Sequence, residues 1–289
     1  MVFKIKRGYL FLALCAAVIL IGTAKLSRAV YQTSSQPEIL KLPVVMYHQI
    51  TKNPTRAGQY CVTHSELEND LKYIKDKGYT PITTNSLLRH VYDGEPLPDK
   101  PIMITFDDGY ETVYSYLLPL LEKHDMCAVA SVVGAYTDMF TQLDDHTLSY
   151  SYMNWDEVSE LANGEYIEIQ SHSYDLHKLN NSGRNGAKKV SGESTHEYSA
   201  FLNYDLGKMQ SLMEEKTGYK PTAFTYPYGC YSKESKDILK SMGFSAAFVC
   251  EERVNYIDTE NTDWLFRIGR YNRPHGISSA EFFAVMGVK

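Results

Sequence analysis

Residues 101–110, Pro-Ile-Met-Ile-Thr-Phe-Asp-Asp-Gly-Tyr, constrain this chain more than any other stretch. Pro101 to Phe106 predicts a short buried strand, because apolar and β-branched residues fill it, a proline opens it and Gly109 closes it. Asp107 and Asp108 then fall where the strand ends. A core strand that runs straight into two carboxylates puts charges that resist desolvation at the rim of its own apolar centre, which points to a metal, a cationic partner or acid–base work. Taken alone, the same residues also fit a strand-end turn in which the aspartates bond nearby amides and Gly109 supplies the bend.

The rest of the chain supplies a context for that junction. Leu42 to Tyr47 reads as a strand with His48 just past its end. Thr63 and Glu66 form a capping box for a helix with Leu67, Leu71 and Ile74 on one face, and Gly78 stops it. A short strand from Tyr79 and a helix around Ser86 to Tyr92 lead to Pro101. Beyond the aspartates, Val113 to His124 predicts a helix bent at Pro119, and Cys127 to Val133 a fully apolar strand. A capped helix from Asn154, strands over 166–171, 222–226 and 244–250, helices over 197–217 and 233–242 and a last helix near Ser278 follow, with a polar, mobile surface loop at 178–196. Strand–helix alternation implies an α/β fold of parallel strands with helices outside, closed or open. Sites in such folds lie at the carboxyl ends of strands. His48, Asp107 and Asp108, His172 and Pro227-Tyr-Gly229 all fall there.

The segment Ser171-His-Ser-Tyr-Asp-Leu-His177 adds two histidines that a loop leaving a strand can aim at one ion. With Asp108 they make two imidazoles and one carboxylate, a set found in hydrolytic zinc sites that keep a coordination position open. Zn²⁺ is the expected ion, although iron, cobalt or nickel would suit the same donors. Asp175 fits either an acceptor that orients an imidazole or a plain loop cap.

Composition narrows the setting. The 44% hydrophobic content supports a full core, and no linker divides residues 42–289, which are expected to form one catalytic domain. Lys4, Lys6 and Arg7 precede the uncharged run Tyr9 to Ala24, the layout of a signal sequence, with a small-x-small cleavage pattern ending at Ala29. Residues 1–29 are therefore expected to be a signal peptide or a retained amino-terminal membrane anchor, with 30–41 a linker to an exported domain. Of 29 basic and 35 acidic residues, five basic ones precede Val30, so the remainder stands at 24 against 35, a formal −11 that argues against a nucleic-acid partner. Cys61, Cys127, Cys230 and Cys250 show no compact metal spacing.

Thr105-Phe-Asp-Asp-Gly109 and the His-Ser…His segment resemble the first two motifs of the polysaccharide deacetylase family, carbohydrate esterases with a NodB-type domain, over roughly residues 42–274. The resemblance implies a distorted (β/α) barrel of about seven parallel strands. It implies Asp107 as general base and Asp108, His172 and His177 as ligands of a divalent metal. Tyr226-Pro-Tyr-Gly229 resembles the third motif, which lines the groove; Tyr226, Pro227 and Tyr228 would contact substrate, and the Tyr228 main-chain amide would donate to the oxyanion.

The wording also departs from the common family pattern. Thr225 stands where many members carry an arginine bonded to the catalytic aspartate, which leaves Arg267 as the candidate to orient the base. The histidines are five apart rather than four, and no Leu-x-His motif follows Trp264. Both features resemble the branch that deacetylates poly-N-acetylglucosamine in bacterial biofilms, in which the acid lies early. Val44-Val-Met-Tyr-His48 matches that segment, so His48 is the expected general acid. Asp263-Trp264 resembles the family's Asp-Trp pair, the acid tuning the histidine and the indole walling the acetyl pocket. Tyr47, Tyr110, Tyr174, Tyr226 and Tyr228 flank these motifs and suit sugar faces, although some would serve only as packing.

The expected protein is a monomeric, membrane-associated or secreted metal-dependent hydrolase of the bacterial cell envelope that removes N-acetyl groups from an N-acetylglucosamine polymer. An O-acetyl esterase acting on glycans and a non-catalytic glycan-binding relic are the alternatives.

Overall fold

The computed structural model describes residues 40–179 and 183–289, so the expected leader, the linker up to residue 39 and the tip of the 178–196 loop lie outside the described residues. Eight strands form one sheet: β1 Val44–Tyr47, β2 Thr80–Pro81, β3 Pro101–Phe106, β4 Ala128–Val132, β5 Ile167–Ser171, β6 Ala223–Thr225, β7 Ala246–Phe248 and β8 Tyr271–Asn272. Seven lie on one hydrogen-bonded path, β7-β6-β5-β4-β3-β1-β8, with every pairing parallel, and β2 adds to the start of β3.

The sheet curls into the expected distorted barrel. Ile268 bridges Phe248 of β7, and Tyr271 and Asn272 pair with Val45 and Met46 of β1. The segment 268–272 therefore spans the seam between the last and first strands of the path. The amide of Val249 donates to the Ile268 carbonyl and that of Arg270 to the Glu251 carbonyl, so this segment is fixed by its backbone.

Side-chain alternation explains why β3 ends in acids. Successive residues of a strand face opposite sides. Ile102, Ile104 and Phe106 pack with Leu67, Leu71, Val113 and Leu117 under the outer helices, while Met103 belongs to the second apolar cluster with Val44 and Val129. Thr105 and Asp107 continue the Met103 face, where both meet the buried Arg270.

Helix starts follow the local sequence. Complete capping boxes open the helices α1 His64–Asp76, at Thr63 and Glu66, and Trp155–Ala162, at Asn154 and Glu157. The helix expected over 113–124 is a π-helical turn, Val113–Leu117, followed by the α-helix Leu118–His124, with Pro119 in its first turn, where a missing N–H is tolerated. The helix Gly134–Leu143 was not expected. It has no side-chain cap, and its first amides are taken by distant carbonyls, Gly134 by Ser173 and Ala135 by Tyr174. The described part of the 178–196 loop is anchored at Ala187, which is fully buried and whose carbonyl accepts from the Tyr198 hydroxyl at 2.6 Å.

Candidate active site

Three loops leaving the carboxyl ends of β3, β5 and β6 each carry a non-glycine residue in the left-handed backbone region: Asp108 at φ 73°, Ser173 at φ 81° and Tyr228 at φ 59°. Such conformations are unfavourable for L-residues and gather where a site is held rigidly. Gly109, at φ 79°, completes the first turn; a Cβ there would stand 2.9 Å from Cγ1 of Val132. The turn can thus lie flat against β4 only as glycine.

These loops bring Asp108, His172 and His177 together. The Nε2 atoms of His172 and His177 lie 3.4 and 3.1 Å from the same oxygen, Oδ1 of Asp108, which is buried and accepts no hydrogen bond among the described residues. The other ring nitrogen of His172, Nδ1, lies 2.8 Å from the Thr225 carbonyl, which accepts its proton and leaves the Nε2 lone pair facing Asp108. Burial disfavours a protonated His172, yet Asp108 and Asp107 raise its pKa above the ordinary histidine value. The field at this point favours a positive charge. A divalent cation held by Asp108, His172 and His177 would satisfy the orphaned carboxylate oxygen and both lone pairs, so the residues fit the expected ion.

The turn that delivers His177 is pinned from outside the motif. Asp205, on the helix Thr195–Thr217, accepts from the amides of Tyr174 and Asp175 at 2.8 and 2.9 Å. The Asp175 side chain pairs with Lys178 at 2.5 Å, and it accepts no hydrogen bond from an imidazole among the described residues. The Tyr136 hydroxyl donates to the His177 carbonyl, and the Tyr228 ring packs on the His177 ring with centroids 4.5 Å apart.

Asp107 has a different partner. Its two oxygens each lie 2.7 Å from a guanidinium nitrogen of Arg270, and both side chains are buried. Burial works to raise the Asp107 pKa, but Arg270, backed by His172 and His48, holds the carboxyl below the usual carboxylate range. Arg270 spends two of its three remaining donors on the Val249 carbonyl and the Thr105 hydroxyl. One cavity of about 550 Å³ exposes Asp107, Asp108, His172, His177, Tyr228 and His48 together, with Tyr60 and Tyr110 as aromatic walls. His48 stacks edge-on to Tyr60, its Nδ1 is buried without a hydrogen-bond partner among the described residues, and burial keeps its pKa below the ordinary histidine value despite Asp107 and Asp108.

Several expected residues lie elsewhere. Arg267 is bound through Nη2 to both oxygens of Glu251, and Arg270, three residues on, takes its place beside Asp107. The reason is the barrel seam: Arg267 belongs to the 3₁₀ turn Thr262–Arg267, whereas Arg270 belongs to the strand-like segment that closes the sheet. Asp263 is half exposed, held by Lys236 and Lys240 at 2.7 and 2.9 Å, and lines a different cavity from His48. Trp264, whose indole N–H donates to the Asp258 carbonyl, lines a separate cavity of about 960 Å³ with Asp263 and Arg267. Tyr226 also faces that cavity and is buried against Phe224 and Tyr231, and Pro227 is buried; neither lines the cavity that holds Asp108, His172 and His177. Tyr47 is packing as well, stacked on Phe106 and bonded to Asp70. Arg267→Ala and Asp263→Asn are accordingly expected to keep metal content and turnover within about twofold of the parent, since these surface pairs contribute little; a loss of tenfold or more in either variant would restore the sequence-based assignment.

Comparison with known proteins agrees with this geometry. The sequence profile described as "Polysaccharide deacetylase" matches residues 94–247, which include Asp107, Asp108, His172, His177 and Tyr228. A poly-beta-1,6-N-acetyl-D-glucosamine N-deacetylase of Escherichia coli (strain K12) is 24% identical over 224 residues, covering 72% of this chain and 33% of that protein. One from Staphylococcus aureus (strain MSSA476) is 24% identical over 196 residues, covering 67% of this chain and 62% of that protein. The chain therefore spans about a third of the first relative and under two thirds of the second. Among solved structures, the Streptococcus pyogenes deacetylase PplD in complex with acetate superposes with a TM-score of 0.69 at 19% identity, covering 86% of this chain and 99% of that one. IcaB from Ammonifex degensii gives 0.69 at 21% identity, covering 86% and 96%. At these identities the structures show a shared fold, and with more than half of the sequence matched by the family profile, the chain belongs to the polysaccharide deacetylase family.

Proposed function

We propose that this chain is a metal-dependent hydrolase that removes N-acetyl groups from N-acetylglucosamine units of an extracellular polysaccharide. One observation carries the reading: of two adjacent aspartates, Asp108 faces two imidazoles with an unbonded oxygen, while Asp107 is held as an anion by Arg270 in the same cavity. One carboxylate is free to ligate and the other to accept a proton. The names of the E. coli and S. aureus relatives support a poly-N-acetylglucosamine substrate. The basic-then-apolar first segment supports export, to the outer face of the membrane or beyond.

When bound by Asp108, His172 and His177, a divalent ion, with Zn²⁺ the best match to the donors, supplies Lewis acidity toward the amide carbonyl and toward a water. Asp107 accepts the proton that water loses as its oxygen attacks the carbonyl carbon. Arg270 keeps that carboxylate ionised and oriented. The Tyr228 amide donates to the oxyanion that forms on the carbonyl oxygen. The C–N bond then breaks as His48 delivers a proton to the departing nitrogen, which yields acetate and a free amine. Burial lowers the His48 pKa, which makes its protonated form the stronger donor and its protonated share the smaller.

The test is acetate release by the zinc-loaded protein from poly-β-1,6-N-acetylglucosamine, chitin oligomers, peptidoglycan and acetylated xylan, before and after chelation. Release from an N-acetylglucosamine polymer that chelation abolishes and zinc restores is expected. Release from acetylated xylan alone would make the chain an O-acetyl esterase, and no release from any of them by metal-loaded protein would make it a glycan-binding relic.

A further inference from the structure

A second cluster of ligating side chains lies beside the catalytic loop and takes no part in the chemistry above. Glu111 sits in the turn that follows Asp107 and Asp108, Glu157 in the first turn of the helix Trp155–Ala162, and His146 in the connection between the helices Gly134–Leu143 and Trp155–Ala162. Their ligand atoms all lie within 4.8 Å of one another. Glu111 and Glu157 are 3% and 8% exposed. Each spends one oxygen on the fold: Glu111 Oε1 accepts from the Ser115 hydroxyl at 3.1 Å, and Glu157 Oε2 accepts from the Asn154 amide at 2.9 Å. The remaining oxygens, Glu111 Oε2 and Glu157 Oε1, converge on Nδ1 of His146 at 3.4 and 3.2 Å. Glu111 Oε2 is buried and accepts no hydrogen bond among the described residues.

Two carboxylates buried side by side repel each other and forgo hydration, and such a pair is relieved by a shared proton or by compensating positive charge; burial and the neighbouring Glu111 push the Glu157 carboxyl up to about 7. A protonated His146 would cancel one of the two charges. A divalent ion would cancel both, and it would give the Glu111 oxygen, which His146 Nδ1 approaches only to 3.4 Å, a partner at ligand distance. We propose that Glu111, His146 and Glu157 form a second divalent-cation site, with a nitrogen and two oxygen donors suited to zinc and neighbouring first-row transition metals.

The surrounding backbone shows what such an ion would do. The Glu111 amide donates to the Ser151 carbonyl and the Met153 amide to the Gly109 carbonyl, both at 2.9 Å, so the connection carrying His146 is sewn to the residues that follow the catalytic aspartates. Tyr110, which walls the catalytic cavity, stacks on Tyr152 of that connection with centroids 4.6 Å apart. An ion at Glu111, His146 and Glu157 locks the near end of this connection and, through Tyr152, the position of Tyr110. It is a structural site, away from the reacting atoms.

The test separates the two metals by stoichiometry. Full-length protein carrying His172→Ala and His177→Ala, stripped of metal and titrated with Zn²⁺ alone, is expected to retain one equivalent by mass spectrometry and to gain thermal stability on binding it. Adding His146→Ala, at a half-exposed position where truncation is expected to leave the fold intact, or Glu157→Gln is expected to abolish that equivalent. His146→Ala by itself should lower the full-length parent from two equivalents to one. No zinc in the His172→Ala/His177→Ala protein would overturn the proposal, as would one equivalent that survives both His146→Ala and Glu157→Gln. Either result would leave the catalytic ion at Asp108 unaffected.

Discussion

Asp107→Asn is expected to lower turnover by on the order of 10²–10⁴-fold, the range associated with losing a general base, while the protein keeps its catalytic metal. Asparagine preserves the shape of the side chain and removes its capacity to take a proton. Arg270 would lose its anionic partner but keep its bonds to the Val249 carbonyl and the Thr105 hydroxyl. The variant is therefore expected to fold, which circular dichroism would confirm beside the rate and the metal content. A parental rate would remove Asp107 as the base, and loss of the metal would move it into the ligand set.

Arg270→Met is expected to lower folding stability by about 3–5 kcal/mol, the range found when one partner of a buried ion pair is removed. Methionine fills much of the space and leaves the Asp107 charge buried without its cation. The sign of the pH effect follows. With the guanidinium gone, burial raises the Asp107 pKa unopposed by its strongest partner, so the carboxyl loses its charge at a higher pH. The acid limb of kcat/KM should accordingly move to higher pH in Arg270→Met, and denaturant unfolding should show the lost stability. Arg267→Met, at a residue exposed over half its side chain, should do neither. Equal effects in the two variants would show that Arg270 is not the residue that positions the base.

Much of this architecture is legible locally. The strand at 101–106, the aspartates at its end, the capping boxes at Thr63 and Asn154 and the helix start near Ser278 depend on neighbours within a few residues, and the structure keeps each of them. The features that could not be read depend on distant chain. The helix Gly134–Leu143 is started by carbonyls of the His172 loop, about forty residues away, and nothing in Gly134-Ala-Tyr announces a cap. Choosing between Arg267 and Arg270 requires knowing that residues 268–272 close the barrel seam; the one trace in sequence is an arginine on the same strand face as Ile268, both fully buried. Asp263-Trp264 resembles a functional pair, yet two lysines of the helix Ser235–Ser241 hold the acid at the surface. Thr225, where the family resemblance implies an arginine, serves through its carbonyl on His172, a role that main-chain atoms perform without leaving a sequence signature.

The most direct measurement is anomalous diffraction at the zinc edge from crystals of the metal-loaded protein. The expected result is a peak about 2.0–2.2 Å from Asp108 Oδ1 and from Nε2 of both His172 and His177, with both Asp107 oxygens still on Arg270. A map with no peak among these three side chains, or one in which Asp107 has left Arg270 to join the coordination, would contradict the assignment of ligand to one aspartate and base to the other.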